Sequence, residues 1–149
     1  MYWGFQIIGW GAFTAGNLAF NYLSNGKITT GDAYYSLLII ILGVVCSHFL
    51  RFIINLYNWR KERIIKIFHK LAILSIFVGT SHISLLYLIS SICSDELIKK
   101  FTKADFITQA ATFGTIYFLW GIIYFAVYFF RNFKKEEIKN LKQQSKLKE

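Results

Sequence analysis

Four polar side chains, Ser47, His48, Arg51 and Asn55, interrupt an apolar run inside the stretch from Gly43 to Lys66. Their spacing puts them on roughly one side of a helix. An ionisable group within a membrane helix is a functional candidate by default. Arg51 precedes Tyr57 by six residues, about 9 Å of helix, so its side chain can snorkel to a membrane surface. Its chemistry is then either that, a structural pair, or contact with an anionic ligand. His48 lies one turn deeper, as a neutral packing residue or a protonation switch. His82 falls near the middle of another apolar run, with Gly79, Thr80, Ser81 and Ser84 around it. It is the best single candidate for a polar ligand or signal site. His69, beside Lys70, reads as interfacial.

Other chemistries find little support. Cys46 and His48 are two residues apart, which sends their side chains to different sides of a helix, and the remaining histidines and Cys93 fall at other depths; no metal site and no cofactor is expected. No Ser or Cys is joined to a base by a recognisable motif, so nucleophilic catalysis is not expected either. The eight acidic residues, Asp32, Glu62, Asp95, Glu96, Asp105, Glu136, Glu137 and Glu149, all sit in connections, at helix ends or in the tail. A proton- or sodium-coupled transporter would want a carboxylate at mid-membrane.

The elements that must position these groups follow from composition. A chain of 149 residues, 55% hydrophobic, with mean hydropathy +0.43, has too little polar surface to enclose a soluble core. Its formal charge of +9 clusters beside the apolar runs rather than in a separate basic domain, which argues for membrane lipids and against nucleic acid as a partner. No secretory leader is recognised at the start, and two cysteines make no disulfide framework.

About 20 apolar residues cross the hydrocarbon of a bilayer. Four segments meet that length: residues 3–23, 33–57, 67–92 and 106–130. The expected fold is an all-α, polytopic four-helix transmembrane bundle over residues 1–130, with a basic helical tail at 131–149. Thirteen of the seventeen Lys and Arg, those from Arg51 to Lys70 and from Arg131 to Lys148, fall on one side, against Lys27, Lys99, Lys100 and Lys103 on the other. Both termini are therefore expected in the cytoplasm.

The first span is rich in small and amide residues, so it reads as buried, either by plain packing within the four-helix bundle or as a dimer or ligand face. Ala12 with Gly16, Gly11 with Ala15, and Ala15 with Ala19 allow close helix approach, and Gln6, Thr14, Asn17 and Asn21 offer hydrogen bonds. Gly43, Gly79 and Gly114 are further packing candidates. The segment 24–32 reads as a plain loop; Leu97, Ile98 and Phe101 with Lys99, Lys100 and Lys103 suit a short amphipathic turn on the headgroups. Thr102 and Asp105 form a capping-box pattern before the last span. Tyr117, Trp120, Tyr124 and Tyr128 suit an aromatic belt, and the Gly- and Pro-free tail should prolong the helix. Ile138 and Leu141 have coiled-coil spacing, but Ser145 and Lys148 break the next turn.

Three stretches in this order, Phe-Gln-Ile-Ile-Gly-Trp-Gly-Ala-Phe at 5–13, Ser-His-Phe-Leu-Arg-Phe-Ile-Ile at 47–54 followed by Asn58-Trp59, and Trp120-Gly-Ile-Ile-Tyr-Phe running on to Glu137-Ile-Lys-Asn-Leu-Lys and Leu147-Lys-Glu, resemble the four-helix membrane region of bacterial sensor histidine kinases of the LytS/YehU type. The resemblance implies a sensory input module in the bacterial cytoplasmic (inner) membrane, a homodimer, passing a signal from the last span to a cytoplasmic partner or kinase domain through residues 131–149. The phosphoacceptor and ATP-binding parts of that family have no counterpart, since a chain without proline has no Asn-Pro-His motif; the chain is not expected to be an enzyme. The alternative is a small self-assembling membrane effector or channel that alters permeability, with polar stripes on the first two spans lining a narrow pore.

Overall fold

The computed structural model describes residues 2–93 and 102–146 and is helical almost throughout. Four helices follow one another: α1 (Tyr2–Asn25), α2 (Thr30–Leu56), α3 (Ile64–Cys93) and α4 (Lys103–Lys146), with a single 3-10 turn (Trp59–Lys61) between α2 and α3. No strand occurs among the described residues. The expected amphipathic turn at 97–101 and the end of the tail, 147–149, lie outside the described residues.

Local chemistry sets the helix ends. Gly26, at φ +70°, takes the left-handed conformation that terminates α1, and its N–H returns to the Tyr22 carbonyl at 2.7 Å. The segment read as a plain loop then carries a capping box: the Thr29 hydroxyl accepts from the Asp32 N–H at 3.2 Å, and the Asp32 carboxylate accepts from the Thr29 N–H at 2.9 Å. That starts α2 three residues earlier than expected. Thr102 and Asp105 make the expected box ahead of α4, with distances of 2.8 and 3.2 Å. After α2 the chain turns through Asn58, at φ 51°, an amide residue that tolerates the left-handed region. The next turn is pinned by Lys70, which pairs with Glu62 at 2.6 Å and lies over the Trp59 ring.

α2, α3 and α4 are long and apolar enough to cross a membrane, so the chain is a membrane protein by the character of three helices. α1 has the length, 24 residues or about 36 Å, but its glycines and the amides Gln6, Asn17 and Asn21 dilute its apolar content. Large apolar side chains point outward from every helix, among them Ile7, Phe20, Phe52, Ile73 and Leu119. Such faces suit lipid rather than water.

α3 and α4 form the tightest pair. A Cβ on Gly79 would come within 2.4 Å of the Gly114 backbone nitrogen, so the two helices cross backbone to backbone, as small residues permit. These two packing candidates act together. Gly43 plays a different part: a Cβ there would meet the Trp10 indole at 2.5 Å, so the glycine is a socket for that ring. The small-residue pairs of α1 are not used this way. Ala12 and Gly16 are exposed, nothing lies within 4 Å of a Cβ on Gly16, and the Asn17 amide bonds its own helix at Phe13. The expectation that α1 is buried is therefore corrected: among its described side chains, Gln6, Trp10 and Thr14 are buried, with Phe13 packed beside them and Gly9 against the Trp120 ring, while the small-residue pairs face outward.

Candidate functional site

Two polar clusters occupy different depths of the bundle. The deeper is organised around Trp10, 1% exposed. Its indole N–H is shared between the Gln6 side-chain oxygen at 3.0 Å and the Ser47 hydroxyl at 3.1 Å, and Ser47 itself donates to the Gly43 carbonyl at 2.6 Å. The Trp10 ring lies 5.6 Å from Tyr117 and 6.0 Å from His82. His82 stacks on Phe113 at 4.2 Å and is hydrogen-bonded through Nδ1 to the Tyr117 hydroxyl at 2.5 Å. The buried Cys46 thiol lies close to that hydroxyl. His82 and Tyr117 are fully enclosed, and the other imidazole nitrogen, Nε2, has no partner among the described residues.

Each helix contributes to this layer: Gln6 and Trp10 from α1, Gly43, Cys46 and Ser47 from α2, His82 from α3, Phe113 and Tyr117 from α4. In low dielectric, hydrogen bonds to these groups offset the cost of burying them. His82 is 0% exposed and is not among the residues lining the cavity described below; its bond to Tyr117 and its stacking on Phe113 hold α3 against α4. His82 is thus a polar group buried inside the bundle, where its place in the sequence puts it. Tyr117 likewise belongs to the core and not to an aromatic belt.

The second cluster lies about two helical turns along α2 toward the basic end. Arg60 donates to the Asn55 side-chain oxygen and to the Tyr124 hydroxyl, and Tyr124 in turn donates to Asn55 at 3.0 Å. The Arg60 guanidinium lies 4.7 Å over the Tyr128 ring and 5.5 Å over Tyr124; Arg51 approaches the Tyr124 ring at 5.9 Å. These are cation–π distances. The 3-10 turn makes this possible, since it carries Arg60 back against α4.

A cavity of about 270 Å³ joins the two clusters. Gln6, Ser47 and Tyr117 close its deep end, where burial is nearly complete. Leu50, Trp120, Ile123 and Val127 supply an apolar wall. Arg51, Arg60 and Arg131 stand toward the exposed end, and no carboxylate is among the lining residues.

Of the sequence candidates, Ser47 and Arg51 line this cavity, Asn55 orients one of its arginines, and His82 reaches it only through Tyr117. His48 is not part of the lining; its Nδ1 lies 3.0 Å from the Val44 carbonyl one turn back. His69 does the same with Ile65 at 2.8 Å, on an exposed face. Sequence reasoning missed Trp10, Gln6 and Arg60 as site residues. Arg60 had a usable signal: a left-handed-tolerant Asn58 just before it, and Tyr124 and Tyr128 at i, i+4 on a later helix.

No known protein family, curated protein or solved structure matches the chain. What defines it is the class: an all-helical membrane protein with a sealed polar layer and an arginine-lined cavity beside it.

Proposed function

We propose that the chain is the membrane-embedded input module of a sensor of the two-component type, akin to the LytS/YehU-type kinases, and that it signals to a cytoplasmic partner without catalysing a reaction itself. In this reading α1 is a fourth span, both ends face the cytoplasm of a bacterial cell, and two copies pair. Support for the fourth span is the absence of charge over 24 residues together with the partners found by its inward stripe. Support for the orientation is the thirteen-to-four division of Lys and Arg.

The observation that carries the proposal is α4. It runs 44 residues without interruption, about 66 Å, more than twice the hydrocarbon thickness. One rigid element thus holds Tyr117 in the sealed layer, Tyr124, Tyr128 and Arg131 at the cavity, and a basic segment exposed as far as Ser145. Filling or emptying the cavity favours one placement of α4 over another, and the extension transmits that choice to a paired chain.

The chain fused through its tail to a kinase domain provides the test. Arg60→Gln shifts basal autophosphorylation, and two glycines inserted between Lys134 and Glu137 abolish that shift by breaking the helix. Unchanged regulation in the glycine variant overturns the proposal. The effector or channel reading is less favoured because Trp10, His82, Phe113 and Tyr117 fill the interior of one copy; dye release from vesicles carrying the purified protein would restore it.

A further inference from the structure

The cavity combines features that select one kind of occupant. Arg60 is held in place by Asn55 and Tyr124, yet its Nε–H is buried and has no partner among the described residues. A guanidinium carries five donors in a fixed fork, of which the two bonds to Asn55 and Tyr124 use Nη2, and Arg60 lines a space with two further arginines in the lining and no carboxylate. Beyond the arginines the wall turns apolar at Leu50, Trp120 and Val127, and Ile123, 45% exposed, opens it sideways toward lipid. At about 270 Å³ the cavity holds a small headgroup and the start of an apolar chain, near the lower end of small-molecule sites.

We propose that this cavity binds the phosphate group of an anionic lipid, its oxygens taken by Arg60 and Arg51 and its chain laid along Leu50, Trp120, Ile123 and Val127. The ligand class rests on the sensor reading only in making lipid occupancy the signal. Binding itself is measurable without any signalling output, so either can fail alone. Charge-assisted, forked hydrogen bonds to phosphate oxygens are the strong ones, and arginine is better suited to them than lysine. The apolar wall is what separates this site from a general attraction of basic surfaces to anionic membranes.

The test uses the full chain purified in detergent and examined by native mass spectrometry and thermal unfolding. Phosphatidylglycerol is expected to be retained at one molecule per chain, at least about ten-fold more tightly than phosphatidylcholine, and to raise the unfolding temperature. Arg60→Gln and Arg51→Gln each weaken retention about ten-fold, the loss expected for one charge-assisted hydrogen bond. Arg60→Lys, which keeps the charge and guards against a folding artefact, also weakens it, whereas Lys139→Gln in the extension changes nothing. Equal retention of the two lipids, or unaltered binding by Arg60→Gln, overturns the proposal. If inorganic phosphate alone reproduces the full thermal shift, the lipid source is overturned as well.

Discussion

The two polar clusters use the same kinds of residue to opposite ends. Around Trp10 the groups are neutral and enclosed, and bonds from Trp10 to Ser47 and between His82 and Tyr117 tie α1 to α2 and α3 to α4; around Arg60 cationic side chains and their neutral partners are half-exposed and arranged about a space. Both contain a tyrosine of α4, Tyr117 in one and Tyr124 in the other, seven residues or about 10 Å apart on nearly the same face. The difference lies in what α2 and the turn after it supply: Cys46 and Ser47 close the first cluster, whereas Arg51 and Arg60 bring charge to the second. Mid-membrane polarity is affordable only when satisfied internally. The arginines of the second cluster line an open cavity and not a closed layer.

The largest effect that sharpens this contrast comes from the indole. Trp10→Ala removes a fully buried ring from its Gly43 socket, and the loss is expected to be about 3 kcal/mol or more, read as unfolding of the purified protein in detergent. Arg60→Gln, by comparison, should change stability by less than about 1 kcal/mol, since a half-exposed cation–π contact contributes little more than that. Equal losses from the two substitutions would break the distinction between a sealed layer and an open site.

A smaller effect is expected from Tyr117→Phe. The ring keeps its place beside Trp10, but the hydroxyl bonded to His82 is gone. Hydrogen bonds between membrane helices average about 0.6 kcal/mol, with an upper range near 1.7, and the one lost here is fully buried, so about 1 kcal/mol is the expected cost. Tyr124→Phe should cost less, because Asn55 and Arg60 remain bonded to each other. The reverse order would make the basic cluster the structural one.

These contrasts also show what the sequence could and could not reveal. Three helices long and apolar enough to cross a membrane, the capping box at Thr102 and the uninterrupted tail to Lys146 are local properties of composition and spacing, and they were legible. Ser47 was recognisable as polar where leucine would be expected. Its partner was not, because Trp10 lies 37 residues away, and tryptophan in an apolar run carries no mark of a bonded N–H. The small residues of α1 misled for a related reason: spacing marks a surface fit for close approach, while the large side chains of α1, seated on Gly43 and against Tyr117, decide which face turns inward. Arg60 sat among the charges used to assign topology, and only the left-handed Asn58 brings it back against α4.

The smallest expected effect concerns neither cluster but the start of the helix that links them. Asp105 accepts hydrogen bonds from the Thr102 N–H and hydroxyl, both at 2.8 Å, and these hold its carboxyl below the usual carboxylate range. A carboxylate with a lowered pKa in the folded state contributes its stabilisation in full above the ordinary value of about 4. The contribution is lost as pH falls through the lowered value, when the protonated group no longer bonds Thr102 as an anion. Amide exchange at 103–106, corrected for intrinsic rates, should therefore speed up below about pH 4, and Thr102→Ala should produce the same local loss at neutral pH. Because the box is exposed and far from Trp10 and Arg60, neither change should alter exchange at Tyr117 or Tyr124. If fraying at Asp105 does loosen Tyr124 but not Tyr117, α4 is anchored only at the sealed layer, and the basic cluster follows its motion.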